Sequence, residues 1–316
     1  MNASTNLAAE LADENKAQKA FLDALIEARL LLPLGPAGVY GRGHVFEDVI
    51  ERFDALITES AIADGAERMR FPPVVSRAAF EKSEYLKSMP QLAGSVFSFT
   101  GDQKQHMALL DAVHEGRDWS AYQTMTDVVL TPAACYPIYP TVAAQGALPA
   151  GGRLVDVYSY CFRHEPSGDP ARMQMFRMRE FVRLASEEEV RPWRDQWQER
   201  GLALLEAIGL TGATAPANDP FFGRGGKMLA QNQRDQKLKF ELVYPITSTD
   251  KPTALLSFNY HQDHFGGIYG LTQADGSPAH TACVGFGMER VALALFKTHG
   301  LDPKTWPEPV REKLWP

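Results

Sequence analysis

The sequence predicts an α+β fold, an antiparallel sheet flanked by helices and held in one domain, residues 1–316. Three observations lead there. Residues 153–183 form two runs of alternating apolar and polar side chains around Pro166-Ser167-Gly168-Asp169-Pro170, the pattern of a long antiparallel hairpin. The other helical and strand-like stretches do not alternate one for one, as a doubly wound parallel sheet would require. No G-x-G-x-x-G follows a strand and no G-x-x-x-x-G-K-S/T occurs, so neither a Rossmann nor a P-loop nucleotide site is supported.

Taken in order, residues 4–32 carry Phe21, Leu22, Leu25, Ile26 and Leu30 at helical spacing and stop at Leu34-Gly35-Pro36, so an N-terminal helix occupies residues 1–34. A second helix, 44–63, has an apolar face of Phe46, Val49, Ile50, Phe53, Leu56 and Ile57, with Gly65 placed to end it. Residues 67–71 alternate as a strand before Pro72-Pro73. A short helix is expected at 76–89, a strand at 95–100, a helix at 102–114 and a strand at 127–131. After the hairpin, 186–209 is a helix opened by three glutamates near its positive end. Residues 211–227, rich in Gly, Pro, Asn and Asp, read as a mobile connection. A polar helix follows at 228–239. Strands are expected at 240–244, 254–260 and 280–286, and a closing helix at 288–299 ends at Gly300.

Composition narrows the class. A 45% hydrophobic content over 316 residues supports a large core. The net charge of -7 argues against a chain devoted to nucleic acid. No apolar run approaches the roughly 20 residues of a membrane span, and the polar, acidic N-terminus shows no secretory signal. Three cysteines suit a reducing cytosol better than a disulfide scaffold, so a cytoplasmic location is expected.

Two motifs carry a resemblance. Phe162-Arg163-His164-Glu165, then Arg172-Met173-Gln174-Met175-Phe176, resembles motif 2 of the class II aminoacyl-tRNA synthetases. Gly285-Phe286-Gly287-Met288-Glu289-Arg290 resembles their motif 3. The helix, strand and proline of residues 44–73 are similar to motif 1, which builds the two-fold dimer in that family. The similarity runs over about residues 38–300. It points within the class to the catalytic core of the atypical, methanogen-type seryl-tRNA synthetases and to the short amino acid:[carrier protein] ligases related to them.

The resemblance implies an adenylation site. Arg163 would hold the α-phosphate of ATP and the amino acid carbonyl, as a planar fork of donors can. Glu165 would accept from the adenine amino group and Phe176 would stack on the purine. Arg172 and Arg290 would clamp the outer phosphates. Met173 and the strand Ala254-Leu255-Leu256-Ser257 would line the nucleotide. Many members bind magnesium through a glutamate near that strand, whereas residues 251–258 here hold no acid, so ATP is expected with magnesium whose ligands are unassigned. Glu241 is a weaker candidate for a polar contact in the substrate pocket.

No spacing rule singles out Cys135, Glu180 and Cys283; the resemblance does, implying that they bind zinc. Such a set leaves zinc a fourth position, open to the substrate's α-amino group. Cys161 is the rival ligand, with core packing its default. His261 and His264 suggest a metal but are expected to be hydrogen-bonded in a loop.

Three functions of different kinds follow. The first is activation of a small amino acid, glycine or alanine, as an aminoacyl-adenylate and its transfer to the phosphopantetheine thiol of a carrier protein. The second is a seryl-like tRNA ligase; the third is a non-catalytic binding module with the synthetase fold. Arg163, Glu165, Phe176 and Arg290 are all present, against the third. No basic block or added tRNA-gripping domain is visible, against the second, so no tRNA partner and no membrane are expected. Residues 186–239 form a helical insertion suited to dock the carrier, with Arg191, Arg194, Arg224 and Lys227 offered to an acidic partner. A homodimer is expected through the apolar face of the helix from His44 and the strand before Pro72.

Overall fold

The computed structural model describes residues 3–316, with side chains from Glu14 onward other than that of Arg224. The first half contains α1 (Ala3–Glu27), β1 (Leu31–Pro33), β2 (Tyr40–Arg42), α2 (His44–Ala61), β3 (Glu67–Met69), β4 (Val74–Ser76), α3 (Arg77–Lys82) and α4 (Tyr85–Ser88). There follow β5 (Ser95–Ser98), α5 (Gln103–His114), β6 (Thr124–Leu130), α6 (Ile138–Ala143), β7 (Arg153–Phe162) and β8 (Met175–Ala185). The second half contains α7 (Glu187–Glu206), β9 (Ala213–Pro216), α8 (Gly223–Asp235), β10 (Lys239–Tyr244) and β11 (Thr253–Gln262). The chain closes with α9 (His264–Tyr269), β12 (His280–Gly287), α10 (Met288–His299) and α11 (Glu308–Leu314).

The expected hairpin is the spine of the molecule. β7 and β8 pair antiparallel from Arg153 opposite Leu184 to Phe162 opposite Met175. They lie within a seven-stranded sheet of order β3-β7-β8-β12-β11-β10-β9, antiparallel except where β3 joins β7. A three-stranded sheet, β4-β6-β5, stands beside it. The predicted α+β class, with an antiparallel sheet flanked by helices, is the one observed.

Because side chains alternate across a strand, the register divides the large sheet into two chemically different faces. On one, Phe181, Phe258, Val284 and Phe286 form a buried core with α2, α7 and α10. Trp197 of α7 stacks on Phe181 with ring centroids 5.2 Å apart and meets Phe286 edge-on at 5.9 Å. Phe53 of α2 meets Phe286 from the other side at 6.3 Å. The opposite face is open, and there the register lines up Val157, Glu180, Gly285, Ser257 and Glu241 in one row across five strands.

Several local expectations change. The first helix ends at Glu27, and Leu31–Pro33 pairs with β2. The stretch 76–89 is two helices, broken at Glu84, whose φ is 60°. Residues 211–227 are not simply a connection: β9 pairs with β10 at the edge of the large sheet, and α8 begins at Gly223. The 228–239 helix stops at Asp235, which frees Lys239 to open β10. The C-terminal stretch folds onto the core through Trp306, Val310 and Leu314. The apolar face of α2, expected at a dimer interface, is buried inside this chain. Among the described residues no helix is long and apolar enough to cross a membrane.

Trp197 is enclosed by rings on both sides, so the space left by its removal cannot collapse easily. Trp197→Ala should cost about 3–5 kcal/mol in urea unfolding; a loss below about 1 kcal/mol would mean that α7 is not locked onto the sheet.

Candidate active site

The open face of the sheet floors a cavity of about 500 Å³. Its walls come from α4, the loop after β6, the 163–174 loop, residues 219–221, α8 and α9. Of the residues singled out in the sequence, Arg163, Glu165, Met173, Phe176, Glu180, Ala254, Leu255, Leu256, Ser257, Cys135, Cys283 and Arg290 all line it. Arg172 does not; it stands exposed outside the lining, 3.8 Å from Glu165.

Arg163 lies one residue past the end of β7, yet its N–H still bonds the Gln174 carbonyl of the returning segment, at 2.9 Å. Its Nε donates to the Pro132 carbonyl at 3.0 Å, and the guanidinium lies 5.5 Å from the centre of the Phe176 ring. Arg290, near the start of α10, is anchored to the Ala171 and Ala254 carbonyls at 3.0 and 3.1 Å. Burial, reinforced by the charges of Arg163 and Arg172, pulls the Arg290 guanidinium below its ordinary value. Arg163 and Arg290 face the cavity with Arg172 near its edge, so an anionic ligand placed between them would be stabilised by their charge.

Cys135, Glu180 and Cys283 meet at the other end of this floor. Their ligand atoms lie within 4.8 Å of one another and all three residues are buried. The Cys135 N–H donates to Glu180 Oε1 at 3.1 Å, and Asn259 Nδ2 donates to Cys283 Sγ at 3.3 Å. Burial, with help from Cys283, pushes Glu180 up to about 8. The two thiols split: the contact with Cys135 takes Cys283 well below the usual range, while Cys283 and burial raise Cys135. A buried carboxylate with two thiols and no cation is costly as a charged set. Its softness and number of donors fit zinc, with a position to spare. Gly285 keeps the approach to Glu180 clear, since a Cβ there would lie 3.1 Å from Ser257 Oγ and 3.5 Å from Glu180 Cγ.

Cys161 is wholly buried in the apolar cluster of Val155, Val157 and Val182 and is not among the three residues whose ligand atoms converge. His261 is hydrogen-bonded as expected, through Nδ1 to Thr281 Oγ1 at 3.0 Å, but it sits on β11 and His264 opens α9, so neither is in a loop; His261 Nε2 lies 3.7 Å from Cys283 Sγ. Glu241 reaches the cavity but is paired with Lys239 at 3.1 Å.

No protein-family model matches the chain. It is 47% identical over 293 residues to amino acid–[acyl-carrier-protein] ligase 1 of Bradyrhizobium diazoefficiens, an alignment covering 93% of this chain and 89% of that one. The chain belongs to the amino acid–[acyl-carrier-protein] ligase family. A type-2 serine–tRNA ligase of Methanopyrus kandleri is 26% identical over 274 residues, covering 79% of this chain and 51% of its own length. The crystal structure of M. kandleri SerRS with A. aeolicus tRNASec superposes with a TM-score of 0.79 at 20% identity. That match covers 93% of this ligase and 60% of the synthetase chain and shows that they share the fold.

Sequence reasoning missed several groups in this ligase. Asp219 and Lys239 pair at 2.7 Å in the cavity wall; burial alone would raise Asp219, but Lys239, Gln233 and Arg163 hold it down to about 2. The alternation of Lys239 with Glu241 was a visible signal for those two, whereas nothing local marked Asp219. Tyr136 and Phe265, which meet edge-on at 6.1 Å, line the cavity from loops and helices far apart in sequence. Glu289 was quoted in a motif without a role. It accepts from the Arg177 backbone N–H at 2.7 Å and from Arg177 Nε at 2.8 Å, and lies 3.1 Å from Arg42 Nη2. Arg42 in turn donates to the Met175 carbonyl at 2.7 Å, so one buried carboxylate ties the start of β8 to the start of α10.

Replacing Glu289 leaves two guanidinium groups without their buried partner. Glu289→Ala should lose about 3–5 kcal/mol of unfolding free energy, and a cost near that of a surface ion pair, under about 1 kcal/mol, would contradict this arrangement.

Proposed function

We propose that this ligase activates a small amino acid, glycine or alanine, with ATP and magnesium, and passes the acyl group to the phosphopantetheine thiol of a carrier protein. The observation that carries this reading is that Arg163, Phe176 and the Cys135–Glu180–Cys283 set all line one cavity over the open face of the sheet. In the first step an amino acid carboxylate oxygen attacks the α-phosphorus of ATP and pyrophosphate leaves. Arg163 bridges carboxylate and α-phosphate and stabilises the charge that develops there. Phe176 stacks on the adenine and Glu165 accepts from its amino group. Arg290 and Arg172 hold the outer phosphates; Arg172 needs only to swing in from its exposed position. Cys135, Glu180 and Cys283 would hold zinc, which when bound would fix the α-amino nitrogen of the substrate. Tyr136 and Phe265 bound the space around those donors, in keeping with a small side chain.

In the second step the thiol sulfur attacks the activated carbonyl carbon, the bond to AMP breaks, and the thiol proton passes to the departing phosphate. Free thiols have a pKa near about 8.5 and are strong nucleophiles, so no base from the enzyme is required. For the carrier, the 186–239 stretch offers α8 more than α7. Arg194 is buried against Phe240 and Asp195, and Arg191 is paired with Glu187. By contrast α8 borders the cavity through Leu229, Asn232 and Gln233 and leaves Lys227 exposed beside Met228. The side chain of Arg224 lies outside the described residues.

ATP–pyrophosphate exchange against all twenty amino acids should respond to glycine or alanine. Acyl transfer should then produce a thioester on the modified carrier, none on its unmodified form and no aminoacyl-tRNA. Charging of tRNA with none of the carrier would favour the tRNA ligase. Cys283→Ser should abolish exchange and metal retention, while Cys161→Ser should keep both; equal loss from the two would refute the ligand assignment.

The pH dependence has a definite sign. Glu180, held near 8 without a metal, must release its proton to act as a ligand. The raised Cys135 thiol must do the same, so zinc affinity should fall as pH drops, less steeply in Glu180→Gln than in the natural chain, with proton release on binding in weakly buffered calorimetry. An identical pH dependence in the two would show that Glu180 is not a ligand.

A further inference from the structure

Seven buried side-chain nitrogen or oxygen atoms lack a hydrogen-bond partner among the described residues, and one of the seven belongs to a residue that lines the cavity. It is the Tyr85 hydroxyl. Tyr85 is 4% exposed, and a hydroxyl buried without a partner costs stability that a bound acceptor would return.

Local structure holds the ring in place. Ser83 ends α3, and its Oγ accepts from the Tyr85 N–H at 3.3 Å. Glu84, between them, takes φ 60° and ψ 15°, a left-handed conformation uncommon for a residue with a β-carbon. That turn breaks α3 from α4 and makes Tyr85 the first residue of α4. Backbone strain of this kind gathers where a side chain is held for function. The Tyr85 ring then packs on Phe80 at 5.1 Å and meets Tyr136 edge-on at 5.7 Å. The far end of α4 is fixed as well, since the Phe222 N–H donates to the Ser88 carbonyl at 2.9 Å.

The surroundings of the hydroxyl give the class of ligand. Burial pushes the phenol up to about 12, with the charge of Arg163 pulling against it and those of Asp219 and Glu165 adding to it. At neutral pH the group is therefore a donor that needs an acceptor. Asp219 is already taken up by Lys239 at 2.7 Å and Gln233 at 2.8 Å. The acceptor missing from this corner, beside the Arg163 cation, is an oxygen-rich ligand.

We propose that Tyr85 is a substrate-binding residue whose hydroxyl donates to an oxygen of the aminoacyl-adenylate beside Arg163, either the acyl carbonyl or the linking phosphate. The inference rests on the adenylation reading, and the hydroxyl keeps its proton throughout. Tyr85→Phe removes one oxygen and keeps the ring. Without ligand the variant should melt no earlier than the natural chain, because no hydrogen bond is lost. In calorimetry the natural chain should bind glycyl-sulfamoyl-adenosine, and the variant should bind it about tenfold more weakly. Glycinol adenylate, which lacks the acyl carbonyl, tells the two oxygens apart. A loss with the sulfamoyl compound alone identifies the carbonyl as acceptor; a loss with both, or with glycinol adenylate alone, identifies the linkage. Equal affinity of variant and natural chain for both analogues, or a ligand-free variant that melts earlier, would overturn the inference and leave the adenylation reading standing. A natural chain that binds neither analogue would overturn that reading and this inference with it.

Discussion

Much of the molecule depends on the alternation of side chains along β8. Arg177, Arg179 and Phe181 point to the helical layer, and Phe176, Met178 and Glu180 to the open face, so a single strand serves the core and the site at once. The charged residues on the helical side are affordable only because each is fully paired. Arg179 bonds Asp156, Asp54 and Thr58, and Arg177 bonds Glu47 and Glu289. A slip of one residue in this register would exchange the two sets, burying Glu180 without partners and emptying the cavity of its polar floor. The seven-stranded sheet, the cavity and its donors are therefore consequences of one pairing.

The open face holds electrostatic tension of two opposite kinds. Around Arg163 and Arg290, cations gather and burial pulls Arg290 down. Around Cys135, Glu180 and Cys283, acidic donors gather and Glu180 is driven up. The proposed reaction brings phosphates to the first cluster, and a metal would balance the second. A carboxylate buried with two thiols is costly without a cation to balance it. A substrate lying between them would touch both, with its carboxylate toward Arg163 and its amino group toward the donor set.

The sequence made the hairpin legible because strand alternation and turn residues are local signals. The closing helix was legible to the residue, Met288–His299, for the same reason. The amphipathic stripe of α2 was visible too, but its destination was not: a helix face records that it will be buried, not against what. Residues 211–227 were misjudged because β9 has only four residues and earns its place by pairing with β10, a tertiary event. In the site, the residues carried over from the resemblance line the cavity apart from Arg172, whereas several that topology alone brings in were not anticipated. Asp219 and Tyr136 carry no pattern of their own. Arg172 belongs to a motif yet stands outside the cavity lining, because a loop residue's position depends on what it binds.

The most direct test of this account is a crystal structure of the zinc-loaded chain with a non-hydrolysable glycyl-adenylate analogue. The account predicts the adenine on Phe176, the phosphate-mimicking linkage against Arg163, and the α-amino nitrogen beside the Cys135–Glu180–Cys283 set. An analogue seated elsewhere in the cavity, or one whose amino group points away from those three residues, would contradict it.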